Sequence, residues 1–90
     1  MTTDEIAAEL DRASAPLRNA VSAWARAYGL GSCSGWYEIA RLWRFEIFRA
    51  DITVEILEDG SEARVIAKGE TIVAKTVRGL SRVLNKAYEG

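Results

Sequence analysis

Residues 52–74 read ITVEILEDGSEARVIAKGETIVA, and the way this stretch pairs with itself decides the fold. Aliphatic residues alternate with charged and polar ones, the pattern of strands that set one face on a core. Asp59-Gly60 has the chemistry of a two-residue type I′ hairpin turn, and Gly69-Glu70 that of a second tight turn. The first turn sets Ile56 opposite Ala63, Val54 opposite Val65 and Ile52 opposite Ala67, all on one face. The second brings Ile72 beside Ala67 and Ala74 beside Val65. On the reverse face Glu55 meets Arg64, an opposite-charge cross-strand pair. Face assignments agree over three strands, and a one-residue slip would spoil them all.

Working back toward the N-terminus, residues 36–48 (WYEIARLWRFEIF) fit two patterns. As a helix, Trp36, Ile39, Ala40, Trp43 and Ile47 share a stripe. As a strand, Trp43, Phe45 and Ile47 alternate with Arg44 and Glu46 in an aromatic-rich run. A turn at Arg49-Ala50 sets Ile47 by Ile52, Phe45 by Val54, Trp43 by Ile56 and Arg44 by Glu55. This agreement predicts a strand over 42–48 and leaves 36–41 open between helix and strand.

Flanking helices complete the outline. Thr2-x-x-Glu5 has capping-box spacing, and Ile6, Leu10, Ala13, Leu17, Val21, Trp24 and Tyr28 recur at intervals of three and four. One apolar stripe therefore runs over 3–28. Pro16 interrupts it by removing a backbone hydrogen bond and crowding the Arg12 carbonyl. Ser14 is placed to cap a second helix, so the expectation is one helix or a kinked helix pair, stopped at Gly29 and Gly31. At the other end Thr76 caps a helix over 76–89, with Val77, Leu80, Leu84 and Ala87 as its buried stripe and Tyr88 alongside. The predicted architecture is α+β: an N-terminal helix or kinked helix pair, a three- to four-stranded antiparallel meander over 42–75, and a C-terminal helix. Both helical segments pack on one face of the sheet.

Ninety residues, 49% apolar and 28% charged, suit one domain spanning 1–90. Net charge is −1, so no global field steers the chain toward nucleic acid or membrane. The balance is uneven: residues 1–60 carry six basic and ten acidic side chains (−4), and residues 61–90 carry six and three (+3). One cysteine forms no internal disulfide, and no signal-like run precedes the first helix, so the expected compartment is the cytoplasm. No apolar run approaches the ~20 residues that span a bilayer, and no membrane association is expected.

The stretch most like chemistry is GLGSCSGW, residues 29–36, with Gly-x-Cys-x-Gly around Cys33. A cysteine nucleophile needs its thiolate, usually secured by histidine, and the chain contains no histidine. A nucleophile elbow also requires a strand leading in, whereas a helix does. Residues 29–35 are expected to be a Gly-rich connector, a hinge between helix and sheet. Glu55 and Glu58 fall on opposite strand faces and do not converge as an acid pair. No cofactor, metal site or catalytic residue is expected, and the chain reads as a non-enzyme.

Two surfaces remain. The outer sheet face displays Thr53, Ile66 and Val73 side by side, bordered by Arg44, Glu55, Arg64 and Lys75, like the core and rim of an interface. Trp36, beside the connector, is expected to be partly exposed and to join it. This predicts a small protein-interaction module with a protein partner or a second copy forming a homo-oligomer. At class level, it suggests an accessory or inhibitory protein of a phage or mobile element that binds a host protein. The alternative is nucleic acid on the basic row Arg78, Arg82 and Lys86, joined by Lys75 and Lys68. Over residues 3–89 the helix–sheet–helix order resembles the double-stranded-RNA-binding domain, which implies phosphate contacts from the last helix. That family's lysine-rich motif is represented here by only Lys75 and Arg78 in Lys75-Thr76-Val77-Arg78.

Overall fold

A computed structural model describes residues 2–89. Helix α1 (Thr3–Ala27) leads into strands β1 (Tyr37–Ile39), β2 (Leu42–Ile47), β3 (Ile52–Leu57), β4 (Ala63–Ala67) and β5 (Glu70–Ala74), followed by α2 (Val77–Glu89). The strands form one antiparallel sheet in the order β1-β2-β3-β4-β5. The class is α+β as predicted, with a fifth strand beyond the three or four expected. That strand is β1, within the segment left open between helix and strand. Ala40 and Arg41 link it to β2, both at positive φ, a costly backbone for residues with a Cβ and one that no turn glycine announces.

Register at the centre of the sheet follows the alternation. Ile47 pairs with Ile52, Phe45 with Val54 and Trp43 with Ile56; Ile56 pairs with Ala63, Val54 with Val65 and Ile52 with Ala67. The turns differ in detail. In place of a tight Arg49-Ala50 turn, a 3-10 turn (Phe48–Ala50) is followed by Asp51 in the left-handed region. Asp59-Gly60 lies inside a four-residue loop, where Gly60 N–H donates to the Leu57 carbonyl and Leu57 N–H to the Glu62 carbonyl. A type I′ turn would need positive φ at both central residues, and of the two only Gly60 has it. Both loops keep the midpoint of the expected turn, so the register survives.

The last hairpin is shifted. Positive φ at Lys68 and Gly69 puts the turn there instead of at Gly69-Glu70. Ile72 accordingly pairs with Val65 and Ala74 with Ala63, two residues from the expected partners. A shift of two keeps each side chain on its face.

Both helices lie on one side of the sheet, α1 against β3 and α2 against β4 and β5, and they touch each other. The core between them contains Leu17, Val21, Trp24, Phe45, Ile47, Ile52, Val54, Ile56, Val65, Leu80 and Leu84. α1 is one continuous helix through Pro16; Arg12 and Pro16 are both exposed, so water is available where the proline removes a hydrogen bond. Ser14, expected as a cap, is instead a fully buried interior residue whose hydroxyl donates to the Asp11 carbonyl and accepts from Arg18 Nε. The helix ends in a Schellman arrangement, with Leu30 N–H bonded to the Ala25 carbonyl, Gly29 N–H to that of Arg26, and Gly29 at φ 68°.

Gly60 marks where the β3–β4 loop meets α1. A Cβ there would overlap the Ala13 carbonyl oxygen, so the close approach and the positive φ both call for glycine. From this contact toward its N-terminus α1 has no fully buried residue among the described ones: Ile6 and Ala13 are exposed and Leu10 is half-buried. In α2, Thr76 accepts from Gly79 N–H as the N-cap. Leu80 and Leu84 are buried and Val83 and Ala87 pack beside them, while Val77, expected in the stripe, is exposed.

Candidate functional site

The sheet face turned away from the helices has no covering element among the described residues. Its composition follows from pleating, because residues two apart on a strand share a side. One row runs Glu46, Thr53, Ile66, Thr71, and the next runs Tyr37, Arg44, Glu55, Arg64, Val73. Thr53 and Ile66 are direct partners as expected. Val73 is not beside Ile66: the two-residue shift of the last hairpin sets it against Arg64, diagonal to Ile66. Thr53 and Ile66 are half-buried, and Val73 is 48% exposed.

A third row extends the apolar part of this face: Ile39, Leu42 and Leu57 on three adjacent strands. Ile39 is 47% exposed, and the other two are half-buried. Strand parity already carried part of this signal, since Leu57 shares a face with Thr53 and Glu55. Ile39 was hidden because β1 has no turn signal.

Between the apolar zones lies a charged band. Arg44 sits 3.5 Å from Glu46 and 4.0 Å from Glu55. The contact to Glu46 through Nε is an ion pair without hydrogen-bond geometry, as that buried nitrogen has no hydrogen-bond partner. Tyr37 donates its hydroxyl to Glu46 at 2.9 Å, a bond that holds its pKa above the ordinary tyrosine value. Arg64 pairs with Glu62 at 3.0 Å. These half-buried pairs fix the charge pattern a partner would meet.

Trp36 does not belong to this face. Its ring packs on Phe45 at 4.7 Å between centroids, and its indole N–H donates to Ser22 on α1 at 3.0 Å. It is half-buried on the helix side, held by an aromatic contact across about ten residues of chain that no local pattern reveals.

On α2, Arg78, Arg82 and Lys86 are exposed, as are Lys75 and Lys68. None of the five is in an ion pair among the described residues. Around Cys33 the connector is tied down instead of hinged: Ser34 N–H donates to the Glu46 carbonyl at 2.9 Å and Phe48 N–H to that of Ser32 at 3.0 Å. The thiol donates to the Leu30 carbonyl at 3.0 Å, and burial raises its pKa, so the arrangement favours the protonated form over a nucleophilic thiolate. Among the described residues, no group of three or more Cys, Asp or Glu is placed to hold a metal ion, and no helix is long and apolar enough to cross a membrane.

No protein-family model, curated protein or solved structure matches the chain. Function is therefore argued from surfaces and their chemistry.

Proposed function

We propose that this chain is a small non-enzymatic protein-interaction module, acting in the cytoplasm, whose bare sheet face binds a partner protein. One observation carries the reading. A whole face of a five-stranded sheet has no covering element among the described residues, and it sets the Ile39–Leu42–Leu57 row and the Thr53–Ile66 pair on either side of a charged row that ends in Val73. Apolar patches interleaved with ordered charges are what an interface with a polar rim requires. An accessory or inhibitory role, exerted by covering a surface of a host protein, fits a chain whose machinery is a face and not a cleft.

A second reading has its own support. Five exposed cations without ion-pair partners among the described residues, three of them on α2, are what phosphate contacts would use. Affinity capture from lysate, with and without nuclease and at two salt concentrations, separates the two. Ile66→Glu is expected to abolish capture of the protein partner, while the pair Arg78→Glu and Arg82→Glu leaves it intact. A dominant, salt-steep, nuclease-sensitive loss in the helix variant would overturn the protein-partner reading.

A further inference from the structure

The two edges of the sheet are finished differently. Strand β1 is three residues long, and beyond it the connector backbone at Ser32 and Ser34 pairs with the outer side of β2. Strand β5 has no neighbour on its outer side among the described residues, and no proline or register break blunts it.

Its free groups can be assigned. Positive φ at Lys68 and Gly69 makes a two-residue loop, in which the flanking Ala67 and Glu70 form the hydrogen-bonded pair. Alternation then places Val65–Ile72 and Ala63–Ala74 in the same class. The N–H and C=O groups of Thr71 and Val73 consequently point off the sheet. The Leu57 N–H to Glu62 carbonyl bond on the opposite side of β4 gives the same parity.

Beside this edge, on the helix side, lies a cavity of about 170 Å³ walled by Val65, Ala67, Ile72 and Ala87. Lys68 and Lys86 stand at it with Glu70, and Lys75 follows the far end of β5. We propose that the β5 edge binds an extended, acidic segment of a partner protein as an additional strand. Main-chain bonds to Thr71 and Val73 supply the pairing, and alternate side chains reach the cavity beside Ile72, the division of labour in strand addition. Lys68, Lys75 and Lys86 select acidic residues around the apolar one; Glu70 is the single opposing charge. A second copy is the poorer occupant. Two β5 strands related by a two-fold axis, with Thr71 opposite Val73, bring Lys75 of each copy next to Lys68 of the other, and like charges there repel. The site adjoins the bare face at Val73 but does not rest on that reading, because it uses the main chain of the edge, the cavity on the helix side and the lysines around it.

The probe is a blocked peptide of alternating valine and glutamate, about one strand in length, with a valine–lysine peptide as control. Titration into isotopically labelled protein is expected to slow amide exchange at Thr71 and Val73 with the acidic peptide alone. Val73→Pro removes an outward N–H without touching the β4 ladder, and is expected to weaken binding about tenfold or more. Should that variant fail to fold, N-methylation of the peptide at alternate positions tests the same bonds on the unaltered protein. Ile39→Glu, on the bare face but four strands away on β1, is expected to leave peptide affinity unchanged, so this site and the face stand or fall separately. The proposal is overturned by absence of binding, by equal binding of the lysine peptide, or by indifference to Val73→Pro and to N-methylation. Concentration-dependent protection of Thr71 and Val73 without peptide would put a second copy at the edge. Double-stranded RNA binding through the same lysines, with no protection of that edge, would replace the peptide by nucleic acid.

Discussion

Thr53 and Val54 are adjacent in the chain and live in different surroundings. Val54 is completely buried between Phe45 and Val65, with helices above it. Thr53 is half-buried between Glu46 and Ile66, with no element above it among the described residues. Ile66 and Ile52 make the same contrast with one residue type: Ile52 is 2% exposed, while Ile66 on the opposite face keeps part of its surface in solvent. Stability is therefore concentrated on the covered face, where side chains leave water entirely. The bare face is free to vary in sequence, or to be kept for a partner, at small cost to folding.

Substitutions break or sharpen this contrast, beginning with the largest effect. Val54→Asp places a carboxylate at a fully buried position between Phe45 and Val65, and is expected to cost several kcal/mol. That approaches the whole stability of a domain this size, about 5–15 kcal/mol. Thermal denaturation should find the variant largely unfolded at room temperature, and an unchanged midpoint would mean that the faces are inverted. Gly60→Ala acts at the seam between α1 and the β3–β4 loop. A left-handed backbone costs a residue with Cβ about 1–2 kcal/mol, and its clash with the Ala13 carbonyl adds to that. The melting midpoint should fall by roughly 4–8 °C for each kcal/mol; an unaltered midpoint would show that the loop does not bear on the helix.

Ile66→Glu tests the other side of the comparison. The substitution lies on the uncovered face, and it is expected to shift the midpoint by only a few degrees, at about 1 kcal/mol or less, while abolishing partner capture. Unfolding as severe as that of Val54→Asp would mean that the bare face is core. Cys33→Ser should matter least. Serine retains a donor for the Leu30 carbonyl, and the thiol is only partly buried, so circular dichroism and partner binding are expected to match the parent protein. A loss of binding comparable to that of Ile66→Glu would give the connector a function that its geometry does not supply.

The legible parts of this molecule were those governed by period. Alternation in ITVEIL and ARVIA sets which side chains share a face, and any loop symmetric about the same midpoint preserves the pairing, so the four-residue loop around Asp59-Gly60 gives the register a type I′ turn would give. Gly69 shows the limit. Glycine suits either central position of a tight turn, as Lys68-Gly69 or as Gly69-Glu70, and the two choices differ by two residues. Faces survive that error, but neighbours do not, and Val73 moved from Ile66 to Arg64. The Ala40-Arg41 turn was illegible because neither residue favours positive φ; pairing with β2 holds it there.

The sequence by itself determined the element types of α1, β2 through β5 and α2, the inward and outward sides of the central strands, and the residues displayed at the centre of the bare face. All of these follow from repeats of two or of three and four residues, which depend on neighbours close in the chain. Tertiary structure decided the rest. It passed α1 through Pro16 as one helix, left the N-terminal turns of that helix off the core, seated Gly60 against Ala13, and turned Trp36 inward to Phe45 and Ser22. It also tied the connector along β2 and left β5 as the open edge. Each of these depends on contacts between segments distant in sequence, whose energies exist only once the elements have docked.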